Sequence, residues 1–223
     1  MGIKNFLKII FAILAIVATT YLIPLAVALN CHEYEMILPF AVPMVAAWIV
    51  YLFVYIFTKK SPVRFTIKSS FVIVAFAWIT CSLFGSIPFI LSGYFDSVTN
   101  AIFESVSGFT TTGASILSDV ESLPRSLNLW RCETHWLGGM GIVALTVALL
   151  PLLGVGGFQL IKAETTGPDK GKVTSKITNT AKALWLIYFS MTALLFVLLK
   201  VAGMDFIDAL SHAFSTLGTG GFS

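Results

Sequence analysis

Long apolar runs alternate with short polar interruptions along the first part of the chain. Ile9 to Leu29 carries no charge and follows Lys4 and Lys8, Ile37 to Thr58 closes at Lys59-Lys60, and Phe71 to Leu91 holds Pro88 near its far end. A helix rises 1.5 Å per residue, so about 20 apolar residues cross a hydrocarbon core of about 30 Å. All three runs are long enough to span. Ala26-Val27-Ala28 resembles a signal-peptidase site. The run is too long for a secretory h-region and further spans follow, so it is read as a retained span.

Beyond Gly93 the pattern changes. Ser97 to Phe109 mixes apolar, small and polar residues, is too short to cross, and leads directly into Thr110-Thr111-Thr112-Gly113. That is the form of a re-entrant helix and loop, since irregular backbone at membrane depth is tolerated only where protein or a water-filled cavity covers it. A fourth span is predicted from Leu129 to Leu153, then a polar segment from Lys162 to Lys182, then a fifth span from Ala183 to Val201. A second short segment, Phe206 to Leu217, leads into Gly218-Thr219-Gly220-Gly221.

The two short segments are copies. An offset of 108 places Ala101 on Ala209, Ser107 on Ser215, Thr111 on Thr219, Gly113 on Gly221 and Ser115 on Ser223. Recurrence of span, short segment and Thr/Gly loop is the span, pore helix, filter, span plan of potassium channels. A cation stripped of water needs oxygens at close range, and backbone carbonyls replace the hydration shell without burying fixed charge. Glycine permits the backbone angles that aim successive carbonyls one way, and threonine adds a hydroxyl. The expected ion-binding residues are therefore Thr110, Thr111, Thr112 and Gly113 with Gly218, Thr219, Gly220 and Gly221. The negative dipole end of each short helix would point at the ion path.

Composition agrees with a membrane setting: 57% of the 223 residues are apolar and 11% charged, against about a quarter charged in soluble domains, and the mean hydropathy is +0.90. Placing the N-terminus, the Thr58–Ser70 connection and the Lys162–Lys182 segment on one side collects eleven of the 14 Lys and Arg. The positive-inside rule makes that side cytoplasmic. Nine of the 11 acidic residues, Glu104 and Glu133 among them, then fall toward the outside, where they would concentrate cations. Cys31, Cys81 and Cys132 form neither CxxC nor a Cys/His ligand set and are read as packing residues. No basic tract resembles a nucleic-acid patch, and Gly154-Val155-Gly156-Gly157 and Gly167 to Thr174 fail the dinucleotide and Walker spacings.

Four stretches then carry a family resemblance: Phe103 to Gly113, His135-Trp136-Leu137-Gly138-Gly139-Met140-Gly141-Ile142, Leu149 to Gly157, and Gly220-Gly221-Phe222-Ser223. In order and spacing they resemble the first half of TrkH/TrkG-type potassium uptake proteins of the Trk/Ktr/HKT superfamily. The resemblance implies an all-α polytopic membrane protein with two leading transmembrane helices (1–68), a first pore unit (69–160), a cytoplasmic loop (161–182) and an incomplete second unit (183–223). It further implies K+ as the transported ion with no covalent cofactor, and residence in the bacterial plasma (inner) membrane with the N-terminus cytoplasmic. Its implied partners are membrane lipid, a cytosolic nucleotide-binding regulatory subunit of TrkA type and, in full-length form, a second copy. The family has four pore units in one chain, so these residues are expected to be a fragment or truncated form that does not transport alone.

Two other readings compete. A membrane-embedded enzyme could use Glu133 and His135, with His212, which lies opposite Glu104 in the repeat. A non-transporting assembly protein could use Gly138-Gly139-Met140-Gly141 for helix association. For Arg131, Glu133 and His135 the blander expectation is a snorkelling anchor or structural ion pair; for His212 it is packing or hydrogen bonding.

Overall fold

The structure, a computed structural model, describes residues 3–58, 67–149 and 170–223, with side chains described for 3–58, 71–141 and 181–223. Every regular element among them is helical: α1 (Ile3–Thr20), α2 (Leu22–Asn30), a 3-10 turn (Tyr34–Met36), α3 (Ile37–Thr58), α4 (Ile67–Gly85), α5 (Ile87–Ser92), α6 (Val98–Phe109), α7 (Arg125–Leu149), α8 (Lys170–Val201) and α9 (Phe206–Leu217). Four stretches are long and apolar enough to cross a membrane, Ile3–Asn30, Tyr34–Thr58, Phe71–Ser92 and Ala181–Val201. At 25 residues, α7 is roughly 37 Å long, which matches the thickness of a hydrocarbon core by length alone. The all-α polytopic architecture read from the sequence is the one observed.

Side-chain contacts fix the direction of each span. Phe6 at the start of α1 meets Phe76 midway along α4, ring centroids 5.3 Å apart, and Lys8 lies over the Tyr55 ring near the end of α3. At the opposite face Tyr94 donates to Glu35, and Glu33 accepts from the Arg125 and Ser126 amides. With the Tyr21 hydroxyl bonded to Phe84 at their far ends, spans α1 and α4 thus run in parallel, and α3 packs antiparallel against α1. The Glu33 carboxylate caps α7, giving partners to amides that a helix start leaves orphaned and placing negative charge at the positive dipole end.

Two spans are broken, each beside a proline. Pro24 sits in the first turn of α2, just past the break at Tyr21; Pro88 plays the same part after Ser86, between α4 and α5. Proline has no amide to donate to the carbonyl four residues back, which for Pro88 is that of Phe84. The Tyr21 hydroxyl donates to this orphaned carbonyl at 3.0 Å, and the Trp130 indole donates to the next one, Gly85, at 3.0 Å. Tyr21 and Trp130 are both fully buried and pack edge to face at 4.6 Å. Ser105 of α6 donates to the Ser82 carbonyl at 2.7 Å. The Pro88 break is therefore the seam that binds α1, α4, α6 and α7 together. Tyr21→Phe keeps the ring and strips the donor, so it is expected to cost about 1–3 kcal/mol for a buried unpaired carbonyl, read as a lower unfolding midpoint in detergent with unchanged membrane insertion.

Three details differ from the sequence-based expectations. Helix α7 starts at Arg125, four residues before the predicted Leu129, because Glu33 caps it there. Of the polar segment predicted as loop, the part from Lys170 is helical and continuous with the fifth span; no proline follows Pro168 to break it. Glu104 and Glu133 are fully buried and do not belong to an acidic mouth. The predicted residues 59–66 and 150–169, with the Gly154–Gly157 stretch, lie outside the described residues.

Candidate functional site

The two short helices correspond in length, in having a side-chain cap and in the register of several buried positions. Each has 12 residues, α6 starting after Ser97 and α9 after Asp205, and each of these caps accepts a backbone amide with its side chain: Ser97 from Asn100 and Asp205 from Ile207. Asp205 is held below the usual carboxylate range, first by the Ile207 amide and also by the Arg125 guanidinium 2.9 Å away. Buried positions fall in register, Ala101 with Ala209, Ser105 with Ala213 and Ser107 with Ser215.

The loops that follow repeat bond for bond. The amides of Thr110, Thr111 and Thr112 donate to Val106, Gly108 and Ser107; those of Gly218, Thr219 and Gly220 donate to Phe214, Thr216 and Ser215, all at 2.9–3.1 Å. Positive φ recurs at the same places, +56° at Thr111 and +75° at Gly113, +58° at Thr219 and +79° at Gly221. A β-branched residue at positive φ costs roughly 1–2 kcal/mol, and such strain concentrates where function demands it. In a regular strand successive residues alternate sides; reversing φ at every second residue removes the alternation, which lets successive carbonyls face one way.

The loops also touch. A Cβ built on Gly113 would overlap the Gly220 carbonyl oxygen and lie 2.9 Å from its carbon. Only glycine at 113 admits both the φ and the neighbouring loop. The same construction at Gly221 meets open space.

Helix α7 packs against both loops. Its Gly138 abuts the Phe109 backbone, and its Gly139 faces Tyr188 and Gly218, where an added Cβ would come within 2.8 and 3.1 Å. The glycine face proposed for assembly is spent inside the chain. Arg131 and Glu104, both fully buried, form a salt bridge at 2.7 Å. Glu104 Oε1 also accepts the Ser115 hydroxyl at 2.8 Å and Oε2 the Ile116 amide at 3.2 Å; Arg131 reaches Asn128 at 2.8 Å and lies 4.4 Å over the Phe222 ring. The structural ion pair expected for Arg131 is this one, at depth, and it ties α7 to the chain leaving the first loop. Its partner, Glu104, is 27 residues away and carries no local sequence signal for the pairing.

Glu133 and His135 do not come together. Residues two apart on a helix do not share a face: the Glu133 carboxyl lies by Thr20 of α1, and His135 stacks on Phe222 with centroids 3.9 Å apart. His212 is half-buried on α9. Among the described residues no three His, Cys, Asp or Glu side chains are grouped to hold a metal. Cys81 and Cys132 are buried thiols, as packing residues would be.

Residues 42–223 match the profile of TrkH, described as "Cation transport protein". The chain belongs to the TrkH family. It is 49% identical over 158 residues to the Trk system potassium uptake protein TrkH of Halomonas elongata, covering 70% of this chain and 33% of that protein. It is 39% identical over 229 residues to TrkH of Vibrio parahaemolyticus, covering 100% of this chain and 46% of that one. The crystal structure of the potassium transporter TrkH from Vibrio parahaemolyticus aligns with a TM-score of 0.79 at 34% identity, over 97% of this chain and 43% of that chain. This TrkH-family chain thus spans less than half the length of the relatives it matches.

Proposed function

We propose that this chain supplies two of the carbonyl-bearing loops of a potassium path, as the pore-forming part of a Trk-type uptake system. Thr110 to Gly113 and Gly218 to Gly221 furnish the ligands, K+ is the cargo, and no covalent chemistry takes place. The observation that carries the reading is the pair of loops with identical hydrogen bonding and the same two positive-φ positions, packed with the Gly220 carbonyl against Gly113. Carbonyl rings of this kind replace an ion's hydration shell, and the open side of Gly221 fits a further loop of the same form.

The domain reading follows: two leading spans over 1–68, a pore unit over 69–160, a connecting segment over 161–182 and the start of a second unit from 183. The face that holds Lys4 and Lys8 is cytoplasmic by the positive-inside rule, in a bacterial inner membrane. A nucleotide-binding regulatory subunit would dock there, and the complete protein would pair with a second copy.

Two loops provide half of a four-part ring. In a bacterium lacking its own potassium uptake, the complete transporter carrying this segment is expected to restore growth at limiting potassium, whereas residues 1–223 alone insert into the membrane and do not. Rescue by 1–223 alone, with length and expression confirmed, would show the pore stoichiometry to be wrong; no rescue by the complete transporter would remove the potassium assignment.

A further inference from the structure

The two loops share a backbone but not their side chains, and the difference has a visible cause. In the first, the Thr110 and Thr112 hydroxyls lie 2.8 Å apart, Thr110 also bonding the Val106 carbonyl at 2.7 Å. The matching positions of the second loop are Gly218 and Gly220. A Cβ on Gly220 would overlap the His135 ring at Nδ1, Cε1 and Cγ, and one on Gly218 would come within 2.8 Å of the His135 Cβ and 2.5 Å of its carbonyl.

His135 belongs to the helix that follows the first loop, yet it backs the second. It is fully buried, and neither ring nitrogen has a hydrogen-bond partner among the described residues. Its ring instead lies nearly flat against Phe222, at an interplanar angle of 26°. Arg131, one turn earlier on α7, presents its guanidinium to the same Phe222 ring, a contact with cation–π character. The end of the second loop is thus held by two residues of the neighbouring unit, and Gly220 is caught between the His135 ring behind it and Gly113 in front.

We propose that His135 is a positioning residue for ion selectivity: its imidazole fills, behind the second loop, the space that the Thr110 and Thr112 side chains fill in the first, and so sets where the Gly218 and Gly220 carbonyls stand. Glycine at 218 and 220 is then required by packing against His135. Glycine at 221 is required by its φ. The interiors of proteins are close-packed and transmit small displacements, so a shift of the ring moves the carbonyls. The inference rests on the filter reading, and its test is arranged so that the two can fail separately.

The experiment uses the complete transporter carrying this segment, with Rb+ and Na+ uptake compared at matched membrane expression and the unfolding midpoint recorded for each variant. Gly220→Ala is expected to lower the Rb+/Na+ ratio about tenfold, as an overpacked site does, and His135→Ala in the same chain to recover most of it. His135→Ala alone should accumulate normally and lower the ratio; it serves if Gly220→Ala does not fold. A double variant no better than Gly220→Ala, or an unchanged ratio in His135→Ala, overturns the inference while Gly221→Ser still degrades the ratio. If Gly113→Ser and Gly221→Ser both leave the ratio intact, it is the filter reading that fails. Recovery of the midpoint without recovery of the ratio makes His135 a packing residue only, which also overturns the inference.

Discussion

Gly113→Ser is expected to lower the preference for K+ over Na+ on the order of tenfold or more when carried in the complete transporter. Two effects add. The φ of +75° costs a residue with a Cβ roughly 1–2 kcal/mol, and a tenfold change in discrimination corresponds to about 1.4 kcal/mol. The added Cβ would also overlap the Gly220 carbonyl oxygen, displacing a proposed ligand of the second loop along with those of the first. Gly221→Ser meets only the first effect, because its Cβ points into open space at a φ of +79°, so its loss should be smaller. Relative uptake of Rb+ and Na+ by the two variants measures this, and equal uptake ratios in both and in the parent protein would remove the filter assignment.

The second large effect concerns the buried pair. Arg131→Met leaves the Glu104 carboxylate at full burial with the Ser115 hydroxyl and the Ile116 amide as its remaining partners. Breaking a buried ion pair from one side costs about 3–5 kcal/mol, because a charge is left without its counterpart, whereas replacing both partners by apolar groups is often far milder. Arg131→Met is therefore expected to lower the unfolding midpoint steeply and cut the folded yield, and Arg131→Met with Glu104→Leu to recover part of both. The single variant also loses the guanidinium over Phe222, so its Rb+/Na+ ratio should fall as well. A midpoint equal to that of the parent would mean that the pair contributes nothing to stability.

Much of the fold was legible because it rests on local signals. The bounds of α9 follow from Asp205 as cap and Gly218 as stop, and α3 coincides with an uninterrupted apolar run. The loops were legible through the 108-residue offset, which survives in matching hydrogen bonds and φ angles. The break at Tyr21 was signalled by Pro24 but masked by the unbroken hydrophobicity around it. Pairings between elements were not legible. Arg131 and Glu104 are 27 residues apart, and nothing in their local sequence says that α7 turns one toward the other. The outward placement of Glu104 and Glu133 was an error of the same origin: position along a span gives depth, not which face of the helix is covered. His135 was noticed for its ionisable ring, whereas its place is decided by glycines 83 and 85 residues further on, which leave the room its ring occupies.

The most direct measurement is the anomalous scattering of Rb+ in crystals of the complete transporter carrying this segment, grown with Rb+ in place of K+. The account predicts peaks on the axis between the loops, within coordinating distance of the carbonyls of Thr110 to Gly113 and Gly218 to Gly221, and their loss in Gly113→Ser. Rb+ density confined to sites away from both loops, or loop peaks that Li+ displaces as readily as K+ does, would contradict it.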